Sequence, residues 1–182
     1  MPISTPSKPS VVVPPINFSL VVPGIYRSGH PNPKNHTFLS RLHLKGIIYL
    51  EGTDPYRQDS LTYVETHQLN LCRFDLSKET DLYTPEGKER LEGLLRVILD
   101  RRNYPLLIHD NMGKGSCTFV CALIRRMQGW SLTGTFAEGD MFAGPAGGAE
   151  GGGVGEAGME FIAAFEPKKI KYDKEWRPDW FH

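Results

Sequence analysis

Short apolar runs alternate along this chain with longer stretches in which apolar residues recur every three or four positions, a pattern that predicts strands separated by helices. Residues 18–22 and 25–27 read as short strands parted by the turn pair Pro23 and Gly24. Phe38, Leu39 and Leu42 share one helical face within 35–43, and Gly46 is read as the end of that helix. Residues 47–50 are an apolar run of the kind a buried strand carries, 61–69 a second helix and 71–76 a further strand. At 84–86 a helix start stands out. The Thr84 hydroxyl can cap, Pro85 is tolerated in a first turn, and the Glu86 carboxylate suits the positive helix end. Leu91, Leu94, Leu95, Ile98 and Leu99 then form a wide apolar stripe, which Tyr104 and Pro105 interrupt. Residues 106–108 read as another buried strand, 119–127 as a central helix, 130–142 as a further helix and 159–165 as the last. The fold class is therefore α/β, a central, mostly parallel sheet flanked by helices.

Composition narrows the functional classes. The chain has 182 residues, 40% hydrophobic and 23% charged, which suits one soluble domain with a sizeable core. Its formal net charge of zero disfavours non-specific nucleic-acid binding, and no apolar stretch approaches a membrane span. No nucleic-acid or membrane partner is expected. The three cysteines, Cys72, Cys117 and Cys121, form neither a CxxC pair nor a Cys/His cluster, so no metal and no cofactor is expected, and a reducing, cytoplasmic setting is. Cys117 and Cys121 read as two small buried residues on one helix face.

Three segments follow from the same reading. Residues 1–16, rich in Pro, Ser and Thr, are expected to be a flexible arm. Its apolar run at 11–13 is too short for a signal-peptide core. Residues 17–165 are the folded domain. Within it, 144–158 holds eight glycines and is expected to be a mobile loop. Residues 166–182 are a tail whose Trp176 and Trp180 pack back on the domain.

The chemistry is expected at 106–119, LLIHDNMGKGSCTF, which runs from strand through a glycine-containing loop into a helix. That arrangement gathers backbone N–H groups and a helix N-terminus around one point, an anion site. It is not a nucleotide P-loop, because Gly115 rather than Ser or Thr follows Gly113-Lys114.

Several motifs in order resemble one family. They are FSLVVPGIYRSG at 18–29, LKGIIYL at 44–50, NYPLLIH at 103–109, Gly113-Lys114, QGW at 128–130, FAGP at 142–145 and Phe161-Ile162. Over about 17–165 the chain resembles the plant-and-fungal atypical dual-specificity phosphatases, the tyrosine-phosphatase-like family that includes the fungal oxidant-induced cell-cycle arrest proteins. The resemblance implies a cysteine-phosphatase-like fold and a signature of His-Cys, five residues, then Arg. The thiolate of that signature attacks phosphorus, and the arginine grips phosphate oxygens.

On this chain the signature is degenerate. The loop reads His109, Asp110, Asn111, Met112, Gly113, Lys114, Gly115, Ser116, with Asp110 at the cysteine position and Ser116 at the arginine position. Losing the covalent nucleophile costs about a million-fold in a comparable system. A carboxylate about 4 Å from a phosphate repels it by roughly 4 kcal/mol. Two readings stand for Asp110: its carboxylate folds into the empty nest, or it faces solvent. Lys114 reads either as an anion attractor or as an exposed lysine. Asp75, Glu79 and Asp81 lie where such phosphatases place a general acid, and none is assigned. Arg27 and Tyr26 are read as serving the fold, being distant from the loop in sequence. After Phe142, where the family commonly carries basic residues, glycines, Glu150 and Glu156 stand.

The expectation is thus a catalytically inactive phosphatase-like protein, a pseudophosphatase with no intact catalytic residue. It would act through protein partners, including other members of its family. The alternative is a residual phosphatase acting on phosphotyrosine or an inositol pyrophosphate. A decaying duplicate is the third reading.

Overall fold

Five short strands assemble into one sheet in the computed structural model, which describes residues 11–52, 55–76, 78–144 and 152–182. In chain order these are β1 (Ser19–Val22), β2 (Ile25–Ser28), α1 (His36–Ser40), β3 (Gly46–Tyr49), α2 (Gln58–Thr66), β4 (Asn70–Arg73), α3 (Pro85–Ile98), β5 (Leu106–His109), α4 (Gly115–Met127), α5 (Leu132–Ala143) and α6 (Glu156–Ala164). The sheet order is β1-β2-β5-β3-β4. Only β1 runs antiparallel, paired to β2 across the Pro23-Gly24 turn. β2, β5, β3 and β4 are parallel, so their C-terminal ends open on one side of the sheet.

Both faces of the sheet are covered. Ile48, Leu50, Leu106 and Ile108 face a large core with the α3 stripe (Leu91, Leu94, Leu95, Ile98) and α4 (Phe119, Val120, Leu123, Ile124). Ile47, Tyr49 and Leu107, one position out of phase, face a smaller core with Leu39 of α1 and Tyr63 and Val64 of α2. Period-two alternation across strands buried on both sides is what a parallel sheet requires. The Thr84 hydroxyl accepts the Gly87 N–H at the start of α3, as the cap motif predicts. From the C-terminal segment, Trp180 and Phe181 are buried in the larger core, while Trp176 is not.

Several boundaries differ from the sequence reading. Gly46 opens β3 rather than closing α1. A side chain there would sit 3.0 Å from Leu106 Cδ2 and 3.1 Å from the Asn70 carbonyl, so close strand packing, not helix termination, explains this glycine. α2 begins at Gln58 rather than 61, and α4 at Gly115 rather than 119. The glycine-rich segment was expected to run over 144–158. Its residues 145–151 lie outside the described residues, while Glu156 already belongs to α6. Residues 1–10 of the expected arm also lie outside. Pro15 is buried, the Val13 carbonyl accepts from Asn35 Nδ2, and the Ile16 carbonyl accepts the Gly29 N–H.

Candidate active site

The candidate site lies at the C-terminal edge of the parallel strands, where β5 turns into α4 through residues 110–114. The β5 backbone is held on both sides, by β2 (Ser28 opposite His109) and by β3 (Tyr49 opposite His109). Gly113 has φ +72°, and a side chain there would come within 2.5 Å of the Gly29 nitrogen, so only glycine satisfies both demands.

Asp110 is 3% exposed and its carboxylate is folded inward. Oδ1 accepts the N–H groups of Met112 (2.9 Å), Gly113 and Lys114 (3.2 Å), and Oδ2 accepts that of Cys117 (2.9 Å). Of the two readings of Asp110, the structure has the first: the carboxylate sits in the nest. Four N–H groups from a loop and the first turn of a helix converge on one small anion, the arrangement that holds phosphate at helix N-termini.

The other predicted residues are distributed around this point. Asn111 and Met112 are exposed. Lys114 is half-buried and its side chain runs beside Gly144 and Gly152, where an added Cβ would lie 3.2 Å from Nζ and 3.5 Å from Cδ respectively. Gly115 and Ser116 form the first turn of α4, and the Ser116 hydroxyl donates to the Leu76 carbonyl (3.1 Å). Outside the loop opens a cleft of about 690 Å³, lined by Lys78, Lys114, Ser116, Glu51, Glu156 and the 152–153 backbone among others. Of the carboxylates weighed as proton donors, neither Asp75 nor Asp81 lines this cleft, and the Glu79 side chain lies outside the described residues. Glu51 and Glu156 do line it. Cys117 is fully buried, its thiol donating to the Ile108 carbonyl (3.6 Å). Its hydrogen bond with Cys121, together with burial, pushes the thiol pKa up, so it offers no thiolate to replace the missing one.

His109 stands behind the loop, fully buried. Nδ1 faces the Asp110 carbonyl (3.2 Å), which can only accept, so Nδ1 carries the proton and Nε2 accepts from the Tyr56 hydroxyl (3.0 Å). His30, Tyr49 and Tyr56 pack their rings around it, with centroids 4.8–5.6 Å away. Burial and then His30 push the His109 pKa down to about 3; burial and then Arg57 push His30 down to about 4. Both are neutral in the fold and free to charge when unfolded. The unfolded chain therefore binds more protons below about pH 6.5. Stability is expected to fall as pH drops from about 6.5 toward 4, by up to about 1.4 kcal/mol per unit for each histidine. Urea midpoints at pH 7 and pH 4.5 measure it, and His109→Asn should shed part of the difference. An equal acid loss in that variant would show that His109 contributes none of it.

Arg27 is the functional neighbour that sequence reasoning missed. It is 2% exposed and lies on β2 opposite Ile108. Its Nη2 donates to the Gly113 carbonyl and to Thr118 Oγ1, each at 2.8 Å, and its guanidinium lies 3.6 Å from the Phe142 ring centroid. Far from the loop in sequence, it is in direct contact with it. A signal did exist: Arg27 falls two positions after Ile25 on one strand face, so the period that buries Ile25 buries a charge as well.

A family model described as the tyrosine phosphatase family matches residues 12–181. Inositol diphosphatase DSP3 of Arabidopsis thaliana is 40% identical over 128 residues, 70% of this chain and 63% of the relative, so the chain spans less than two thirds of that protein's length. Tyrosine-protein phosphatase-like protein OCA2 of Saccharomyces cerevisiae is 37% identical over 160 residues, 85% of this chain and 76% of that one. Among solved structures, the core catalytic domain of the PP-IP phosphatase SIW14 from S. cerevisiae, in complex with citrate, superposes with a TM-score of 0.75 at 34% identity, covering 88% of this chain and 91% of that one. The cysteine-phosphatase-like fold is confirmed. The expectation of a catalytically inactive, phosphatase-like protein is overturned, because relatives matching most of the chain are named inositol diphosphatases and a PP-IP phosphatase. The physical reason lies in the loop: two side chains of the signature differ, yet the cradle of N–H groups is intact and opens on a large cleft. Matched by that family model along nearly its whole length, and by plant and fungal relatives, the chain belongs to the tyrosine phosphatase family, in its plant-and-fungal atypical dual-specificity branch.

Proposed function

We propose that this chain is a phosphatase acting on an inositol pyrophosphate. The observation that carries the reading is the set of four N–H groups, from Met112, Gly113, Lys114 and Cys117, that converge on an oxyanion at the mouth of a cleft. The names of the plant relatives and of the SIW14 core domain support the substrate class. Lys78 and Lys114 line the cleft beside Glu51 and Glu156, and the two lysines are the groups that could meet the phosphates of a polyphosphorylated ring. With no thiol at position 110, water adds to the terminal phosphorus and the bridging P–O bond breaks. The leaving phosphate oxygen takes up a proton released by that water. The loop N–H groups stabilise charge on the phosphoryl oxygens. Such a site is slow, because covalent catalysis and the arginine clamp are both missing. The three free thiols, Cys72, Cys117 and Cys121, suit a cytoplasmic setting.

The test is release of inorganic phosphate from an inositol pyrophosphate beside a simple phosphate ester, under single-turnover conditions. Release from the pyrophosphate above the uncatalysed rate is expected. A rate equal to buffer alone would overturn the assignment.

A further inference from the structure

We propose that the Asp110 carboxylate is a displaceable internal occupant of the phosphate nest. The site would then exchange between a self-occupied state and a state in which an external oxyanion takes the same N–H groups. This deepens the phosphatase reading, since it concerns how substrate enters the same site.

If Asp110 alone held the loop in shape, removing its carboxylate would collapse the nest. Instead the carbonyls of the three central loop residues, 111–113, are tied from outside. The Asn111 carbonyl accepts the His30 N–H (3.1 Å), the Met112 carbonyl accepts Asn17 Nδ2 (2.8 Å), and the Gly113 carbonyl accepts Arg27 Nη2 (2.8 Å). The Asn111 side chain is fixed by the Tyr49 hydroxyl (3.1 Å). Because a peptide unit is planar, pinning a carbonyl outward turns the following N–H inward. Met112, Gly113 and Lys114 are the residues that follow those three carbonyls, and theirs are the N–H groups that meet Oδ1. Cys117 is set by α4 itself. The nest is therefore preorganised by Asn17, Arg27 and His30 and does not depend on its occupant.

The occupant can also leave. The Asp110 backbone is held by β5 and the His109 ring, but the side chain has only its χ rotations to make, and Asp110 itself lines the cleft outside. A carboxylate and a phosphate cannot share four N–H donors, and like charges repel at that range. Entry of one requires exit of the other.

Inorganic phosphate is the probe. It would be titrated into the unmodified protein and into Asp110→Ala, with the amide resonances of Met112, Gly113, Lys114 and Cys117 followed by NMR. Asp110→Ala is expected to bind phosphate at least tenfold more tightly, with those four amides moving together. Equal affinity in the two proteins would overturn the proposal. Should Asp110→Ala fail to fold, the unmodified protein decides alone. Its Asp110 carboxyl carbon resonance must shift in step with the four amides as phosphate is added, and amides that move while the carboxyl carbon stays still would overturn displacement. Binding is read here without turnover. Displacement without phosphate release would therefore sink the phosphatase reading and leave this one standing, and release with an unmoved carboxyl group would do the reverse.

Discussion

Asp110→Cys combined with Ser116→Arg is expected to raise phosphate release from an inositol pyrophosphate by roughly ten-thousand-fold or more over the unmodified protein. The scale follows from what loss of a covalent nucleophile costs in a comparable enzyme, about a million-fold. The surroundings already suit a thiolate. The four N–H groups that now meet Asp110 would meet sulfur and the phosphoryl oxygens, and the N-terminus of α4 favours negative charge at that point. Ser116 lines the cleft in the first turn of α4, and its replacement gives up one hydrogen bond to the Leu76 carbonyl. An arginine there adds up to two charge-assisted hydrogen bonds to phosphate, about 1.5–3 kcal/mol each. Removing Asp110 also removes a competitor for the nest. Single-turnover rates of the unmodified protein, both single variants and the double variant check the claim. Each single variant should recover only part of the gain, since nucleophile and clamp act on one transition state. A folded double variant no faster than the unmodified protein would show that residues 109–116 are not in register with the family signature.

What the sequence made legible was local. Among the described residues, the period of the apolar positions located the five strands and the six α-helices, though not the short 3-10 turns between them, because each element's buried face is encoded within its own few residues. Helix starts were less legible where polar residues serve two purposes. Gly115 and Ser116 begin α4, yet they look like loop because glycine is a poor helix former and the nest needs small residues beside it. The same holds for Gly46, whose role is set by Leu106 and Asn70, residues of two other strands. The loop's chemistry could be placed from residues 109–116 alone, and even the inward turn of Asp110 could be framed as a choice. Its support could not. Asn17, Arg27 and His30 reach the loop only because β2 lies beside β5, a parallel pairing across some eighty residues that no local pattern encodes. The ring cluster of His30, Tyr49, Tyr56 and His109 is hidden in the sequence for the same reason.

That non-local support makes Arg27 the position with the largest expected effect on stability. Arg27→Ala is expected to destabilise the fold by roughly 3 kcal/mol, the range of changes that open a cavity and orphan buried polar groups. Two acceptors lose their partner, the Gly113 carbonyl and Thr118 Oγ1, and the Phe142 ring loses the guanidinium on its face. Opposing this, a buried charge is removed whose Nε has no hydrogen-bond partner among the described residues, so the net loss stays below the sum of the parts. Arg27→Met separates the contributions. It keeps much of the volume between β2, α4 and α5 while still leaving the Gly113 carbonyl unpaired, and should cost about half as much. The midpoint of urea unfolding measures both. Hydrogen exchange adds what a purely structural role would not: in both variants the Lys114 amide should lose protection beyond the fall in global stability, since the tie on the Gly113 carbonyl that turns it inward is cut. If protection at the Lys114 amide merely tracked the urea midpoint, Arg27 would be a core residue that happens to be charged, and that part of the nest would owe its shape to other contacts.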